Sequence, residues 1–109
     1  MSATFSNLVR EGLPVLHHVA RGIARRMGGE IELDDLIALG HPALVEVART
    51  YKPERSKFST YTALKVKWAI FDGLRRETRG RPSWTMARVA ALALAERVGE
   101  DAAMVEAER

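Results

Sequence analysis

Aromatic and basic side chains recur at helical spacing between Lys57 and Arg76, and this is where the chain carries groups able to do chemistry. Projected at about 100° per residue, Leu64, Trp68, Phe71 and Arg75 share one stripe. Lys67 falls between that stripe and a purely apolar one, and Lys65 lies beyond it. Rings on which unpaired bases stack, interleaved with cations that neutralise phosphates, make a surface for single-stranded nucleic acid. The same rings also suit a helix buried on two sides of a bundle, so spacing alone leaves both readings open for Trp68 and Phe71. The charge around them is uneven. From Arg49 to Arg81 ten bases stand against three acids, a local balance of +7 in a chain of net charge +3, which leaves the remainder net negative. Such a block draws in phosphates and speeds encounter with nucleic acid, although a solvated helix face followed by a basic loop would count the same.

Other chemistry lacks its companions. His17, His18 and His41 are accompanied by no helical Glu-x-x-His, no paired carboxylates and no glycine-rich phosphate loop, so no catalytic residue, metal site or cofactor is expected. His17 and His18 are adjacent and would point about 100° apart on a helix, too far to grip one ion easily. His41, beside Pro42, reads as a residue that caps or packs an inter-helix turn. With no cysteine there is no disulfide, no thiolate zinc site and no cysteine nucleophile, which suits a reducing cytoplasm. Residues Met1 to Asn7 lack the basic and then apolar run of a signal peptide, and no stretch reaches the roughly 18 apolar residues of a membrane span. A soluble, cytoplasmic chain with no membrane partner is the expectation.

The elements that must position these residues are helices. A chain of 109 residues with 47% hydrophobic content builds one modest core, and apolar residues recur three and four apart almost throughout while alternating runs are missing. The expected fold is all-α, a bundle of four to five helices. The first runs from about Asn7 to Met27, with Leu16, Ala20, Ile23 and Met27 on its apolar face and Gly28-Gly29 closing it; Gly12 and Pro14 predict a bend or a separate short helix near its start. The second begins near Leu33, where Asp34 and Asp35 favour the positive end of the helix dipole. Gly40, His41 and Pro42 interrupt it, with Pro42 placed to open a third helix over Ala43 to Thr50. A loop follows from Tyr51 to Lys57. Ser59 or Thr60 then caps a long helix to Thr78, with Ala63, Val66, Ile70 and Leu74 facing the core and Gly80-Arg81-Pro82 closing it. Ser83 caps a last helix, Trp84 to Val98, before an acidic tail from Glu100 that is expected to fray.

An ordered set of short motifs runs through these elements: Asp34-Asp35-Leu36-Ile37, Gly40, Leu44, Tyr51-Lys52-Pro53-Glu54-Arg55, Lys57-Phe58-Ser59-Thr60-Tyr61, Ala69-Ile70 and Asp72-Gly73-Leu74-Arg75-Arg76. Together they resemble region 2 of the sigma-70 family of bacterial RNA polymerase sigma factors, nearer the flagellar and sporulation branch. The likeness covers about Leu8 to Arg76, with a faint echo of region 3 beyond. It divides the chain into a region 2-like domain, 1–79, and a C-terminal helical extension, 80–109.

What the resemblance implies is a non-enzymatic domain that docks on the clamp helices of the β′ subunit of core polymerase and captures the non-template strand of the minus-ten promoter element. Carried over, the polymerase-binding positions are Asp34, Asp35, Ala38, Leu39 and His41. The DNA-binding positions are Lys57, Thr60, Tyr61, Leu64, Lys65, Lys67, Trp68, Phe71, Arg75 and Arg76. An anti-sigma factor is a further candidate partner. Several of these residues keep a plainer alternative: Tyr61 as a core aromatic with its hydroxyl at the surface, Lys57 as a solvated loop base, Arg75 and Arg76 as cations at the negative end of a helix dipole.

The chain departs from the family pattern at defined places. Ala38-Leu39 stand where many members have Gln-Glu, and Leu64-Lys65 stand where housekeeping members have two tryptophans. There is no room for the helix-turn-helix that reads the minus-35 element, so the sequence is a fragment or a short stand-alone relative. Two functions are therefore carried forward. One is a sigma-like promoter and polymerase binder; the other is a sigma-fold adaptor or decoy that binds a protein partner without initiating transcription.

Overall fold

The computed structural model of the chain describes residues 3–54, 57–77 and 83–108. They form four helices, α1 (Ala3–Arg26), α2 (Leu33–Thr50), α3 (Phe58–Glu77) and α4 (Ser83–Glu108), and no strand occurs among the described residues. The all-α expectation therefore holds. The chain divides into two compact units, Met1–Gly73 and Leu74–Arg109, with α3 running across the division.

In the first unit α1 starts earlier than its apolar pattern suggests and passes unbroken through Gly12 and Pro14. Pro14 is exposed, so its missing N–H leaves the Arg10 carbonyl on the solvent side, where water can serve it. Gly12 is buried because α2 comes close: a Cβ there would overlap Leu44 Cδ1. The helix ends in a Schellman motif, in which the Gly29 N–H donates to the Ala24 carbonyl (3.4 Å) and the Gly28 N–H to the Arg25 carbonyl (3.1 Å). Gly28 and Gly29 have φ of 64° and 79°, the left-handed region that only glycine enters without strain.

The expected break in α2 does not occur. The helix continues from Leu33 through Gly40, His41 and Pro42 to Thr50, so no separate helix opens at Pro42. Gly40 is there for packing: a Cβ would lie 2.5 Å from Leu16 Cδ1 of α1 and 3.2 Å from Ile70 Cγ1 of α3. Pro42 is exposed. An interior proline costs a helix about 3 kcal/mol, and burial of Leu36, Leu44 and Val47 at about 1.5–3 kcal/mol each outweighs it. At the start of α2 the Glu32 carbonyl accepts from the Asp35 and Leu36 N–H groups, 3.1 and 3.2 Å away, while Asp34 and Asp35 sit at the positive end of the dipole.

Tyr51 and Phe58 close the loop between α2 and α3 ring to ring, edge on, with centroids 5.1 Å apart. The helix then begins at Phe58. The Tyr61 N–H donates to the Lys57 carbonyl (3.0 Å), so Lys57 holds the position assigned from sequence to Ser59 or Thr60. Val66, Ile70 and Leu74 are fully or almost fully buried, as their stripe requires. Gly73 makes the last close approach, since a Cβ there would lie 2.5 Å from Leu39 Cδ2.

In the second unit α4 continues past Val98 to Glu108, so the tail expected to fray is helical. Val89 and Ala93 are buried, whereas Leu94 and Val98 are 63% and 58% exposed. The Gly80-Arg81-Pro82 stop lies outside the described residues, as does the capping role assigned to the Ser83 side chain.

Candidate nucleic-acid interface

One arc of α3 points outward. Lys57, Thr60, Leu64 and Lys65 are exposed, and Tyr61, Lys67 and Trp68 are half-buried. Lys57, Tyr61 and Lys65 follow one another at four-residue steps, the spacing that stacks side chains along one face. The Lys65 Nζ stands 5.5 Å from the Tyr61 ring centroid, and the Lys67 Nζ 5.2 Å from that of Trp68. Both distances fall within cation–π range, worth about 0.5–1 kcal/mol at exposed sites. The arrangement places a cation beside each ring, so a base stacked on Tyr61 or Trp68 would have a neutralising charge for its phosphate close by.

Phe71 does not belong to this surface. It is fully buried, with its ring centroid 5.6 Å from that of Trp68 at an interplanar angle of 50°. Spacing in the stripe of Leu64, Trp68, Phe71 and Arg75 left both rings open to either reading, and the family resemblance put both at DNA-facing positions. In the structure Phe71 lies on the side of that stripe that joins the core, and it supports Trp68 from behind. Arg75 and Arg76 are exposed on the last turn of α3, in the second unit, where they complement the negative end of the helix dipole.

Of the positions assigned to polymerase binding on α2, Asp34, Asp35, Ala38 and His41 are exposed. Leu39, expected among them, is half-buried and rests on Gly73 of α3, so it is part of the helix joint and offers little apolar surface to a partner. The missing N–H of Pro42 has a local result that sequence reasoning overlooked. The Ala38 carbonyl loses its i+4 donor and becomes an acceptor on the exposed face of α2, a consequence that follows from any proline four residues after an exposed position. Among the described residues no group of three His, Asp or Glu side chains is placed to hold a metal ion, and no helix is long and apolar enough to cross a membrane.

Residues 8–80 match the sigma-70 region 2 family, a span that contains both outward faces. The chain belongs to that family. It is 37% identical over 73 residues to the RNA polymerase sigma-D factor of Bacillus subtilis (strain 168), an alignment covering 65% of this chain and 28% of that protein. The chain thus corresponds to little more than a quarter of that relative's length. No solved structure matches it significantly.

Proposed function

We propose that this region 2 domain binds core RNA polymerase through α2 and holds the unpaired non-template strand of a minus-ten promoter element on α3, acting in the cytoplasm and catalysing no reaction. The observation that carries the reading is the pairing of a lysine with an outward ring at two places on one helix, Lys65 with Tyr61 and Lys67 with Trp68. Asp34 and Asp35 give α2 an acidic start suited to basic groups on a docking partner, and the Ala38 carbonyl adds an acceptor where other members carry polar side chains. An anti-sigma factor that covers either face would be a regulator consistent with this role.

Titration of a fluorescent single-stranded minus-ten oligonucleotide, with and without core polymerase, tests the proposal. Binding should strengthen when core is present and weaken steeply with salt. Replacing Lys65 and Lys67 by alanine should reduce the slope of log affinity against log salt by about 1.4, at about 0.7 per phosphate contact on a single strand. An unchanged slope would assign both lysines to an ordinary solvated face.

The adaptor reading keeps one supporting observation, the small and exposed Ala38 where a polar contact is usual. It loses another, because Leu39 is committed to Gly73. Core polymerase that fails to bind the chain, with or without DNA, would favour it.

A further inference from the structure

Helix α1 carries a row of bases on the side that faces away from the core. Gly12, Leu16, Ala20, Ile23 and Met27 are its buried side. Opposite them, at steps of three, four, four, three and four, stand Asn7, Arg10, Pro14, His18, Arg21 and Arg25, all exposed and within about 80° of one another at about 100° per residue. No acid belongs to this row. Glu11 stands at its margin, and Arg10, Arg21 and Arg25 form no ion pair among the described residues. On α2, by contrast, the exposed Arg49 is paired with Glu46 at 3.5 Å.

A solvated face gains from opposite charges three and four residues apart, whereas like charges at that spacing weaken a helix, and Arg21 and Arg25 are such a like pair. Arg25 complements the negative end of the α1 dipole. Arg10 and Arg21 lie outside the last turn, where that effect has faded.

We propose that this row is a second nucleic-acid site, one that grips the phosphates of duplex DNA without reading its sequence. It is carried by α1 and stands apart from the roles proposed for α2 and α3. Two observations select a duplex over a single strand. The row holds no Phe, Tyr or Trp, so it offers unpaired bases no counterpart of the Tyr61 and Trp68 rings. Its charges also stand at two separated stations. Arg10 lies about 16 Å along the axis from Arg21, at about 1.5 Å per residue, and Arg25 follows one turn further on. The major groove of B-form DNA is about 12 Å wide, so a helix laid across it brings Arg10 to the phosphates of one rim and Arg21 and Arg25 to those of the other, with Pro14 and His18 over the gap. A flexible strand has no use for such a spacing. Guanidinium groups suit the task, because each presents several N–H donors to the oxygens of a phosphate.

Fluorescence anisotropy of the full chain with a labelled duplex that lacks a minus-ten element reads the site. Affinity should fall with salt. The triple change Arg10→Gln, Arg21→Gln and Arg25→Gln should reduce the slope of log affinity against log salt by about 2.7, at about 0.9 per phosphate contact on B-form DNA. Arg21→Gln alone should reduce it by about 0.9. Circular dichroism should stay unchanged, because all three side chains are exposed. Lys65→Ala with Lys67→Ala separates this site from the α3 face: the duplex slope should survive that change, and single-strand binding should survive the loss of the arginines. A chain that does not bind the duplex at low salt overturns the proposal, as does a slope that falls with the lysines and not with the arginines. Arginine-dependent binding to phosphatidylserine vesicles without binding to the duplex would overturn it in favour of a lipid surface.

Discussion

The outward faces of α2 and α3 are built from opposite materials on a shared joint. That of α2 is acidic and low, formed by Asp34, Asp35, Ala38 and His41; that of α3 is a ridge of rings and cations, Tyr61, Lys65, Lys67 and Trp68. Between them Gly40 takes Ile70 and Gly73 takes Leu39, so both faces are mounted on the same close contact. The difference teaches how much a surface reveals of its use. Rings beside cations suit unpaired bases and phosphates whatever their order, so the α3 face can be read from its chemistry. A shallow acidic face with one exposed carbonyl acquires meaning only from the shape and charge of what docks there.

The sharpest way to break the comparison is Phe71→Ala, which should lower folding stability by about 3–5 kcal/mol and take both faces with it, read by urea denaturation. Gly40→Leu should come next. The new side chain would meet Leu16 and Ile70, and overpacking of this kind costs about 1–3 kcal/mol; polymerase and DNA binding should decline in step, since the two faces share the joint. Trp68→Ala should separate them, costing about 1–3 kcal/mol in single-stranded DNA affinity with binding to core polymerase retained. If it unfolds the chain as Phe71→Ala does, Trp68 belongs to the core and the α3 ridge is reduced to Tyr61. Ala38→Gln should have the smallest effect, strengthening polymerase binding by about 1 kcal/mol in interferometry if a polar contact is restored on the α2 face proposed to meet the clamp. No gain would mean that the Ala38 carbonyl already fills that role.

Much of this was legible in the sequence because periodicity reports burial directly. Val66, Ile70 and Leu74 fall on one stripe and are buried, and Gly28-Gly29 end α1 because two successive residues there require positive φ. Phe71 was not legible. Its place in the stripe with Leu64 and Trp68 suits a surface or a second buried side of the helix, and only packing decides between them. Gly40, His41 and Pro42 misled for a related reason. Propensity sees two poor helix formers, whereas the structure uses Gly40 for a close crossing and leaves Pro42 in solvent, where a missing N–H costs least. The α2 residues proposed to face the clamp were assigned from a motif and a helix start, and the structure shows the helix start; the commitment of Leu39 to Gly73 depends on two positions far apart in the chain. The acidic tail was expected to fray as chain ends commonly do, and α4 nonetheless continues through it to Glu108.

Three glycines of the first unit, Gly12, Gly40 and Gly73, work like meshed teeth. Leu44 seats at Gly12, Leu16 and Ile70 at Gly40, and Leu39 at Gly73, so each helix has a notch filled by a neighbour's side chain. A helix engaged in this way can neither slide by a turn nor roll by a residue without driving a Cβ-bearing position into the space a glycine had cleared. The unit therefore passes rotation on instead of absorbing it. A partner that tilts α2 as it docks must swing α3 with it, and the angle at which one face is gripped sets the aim of the other.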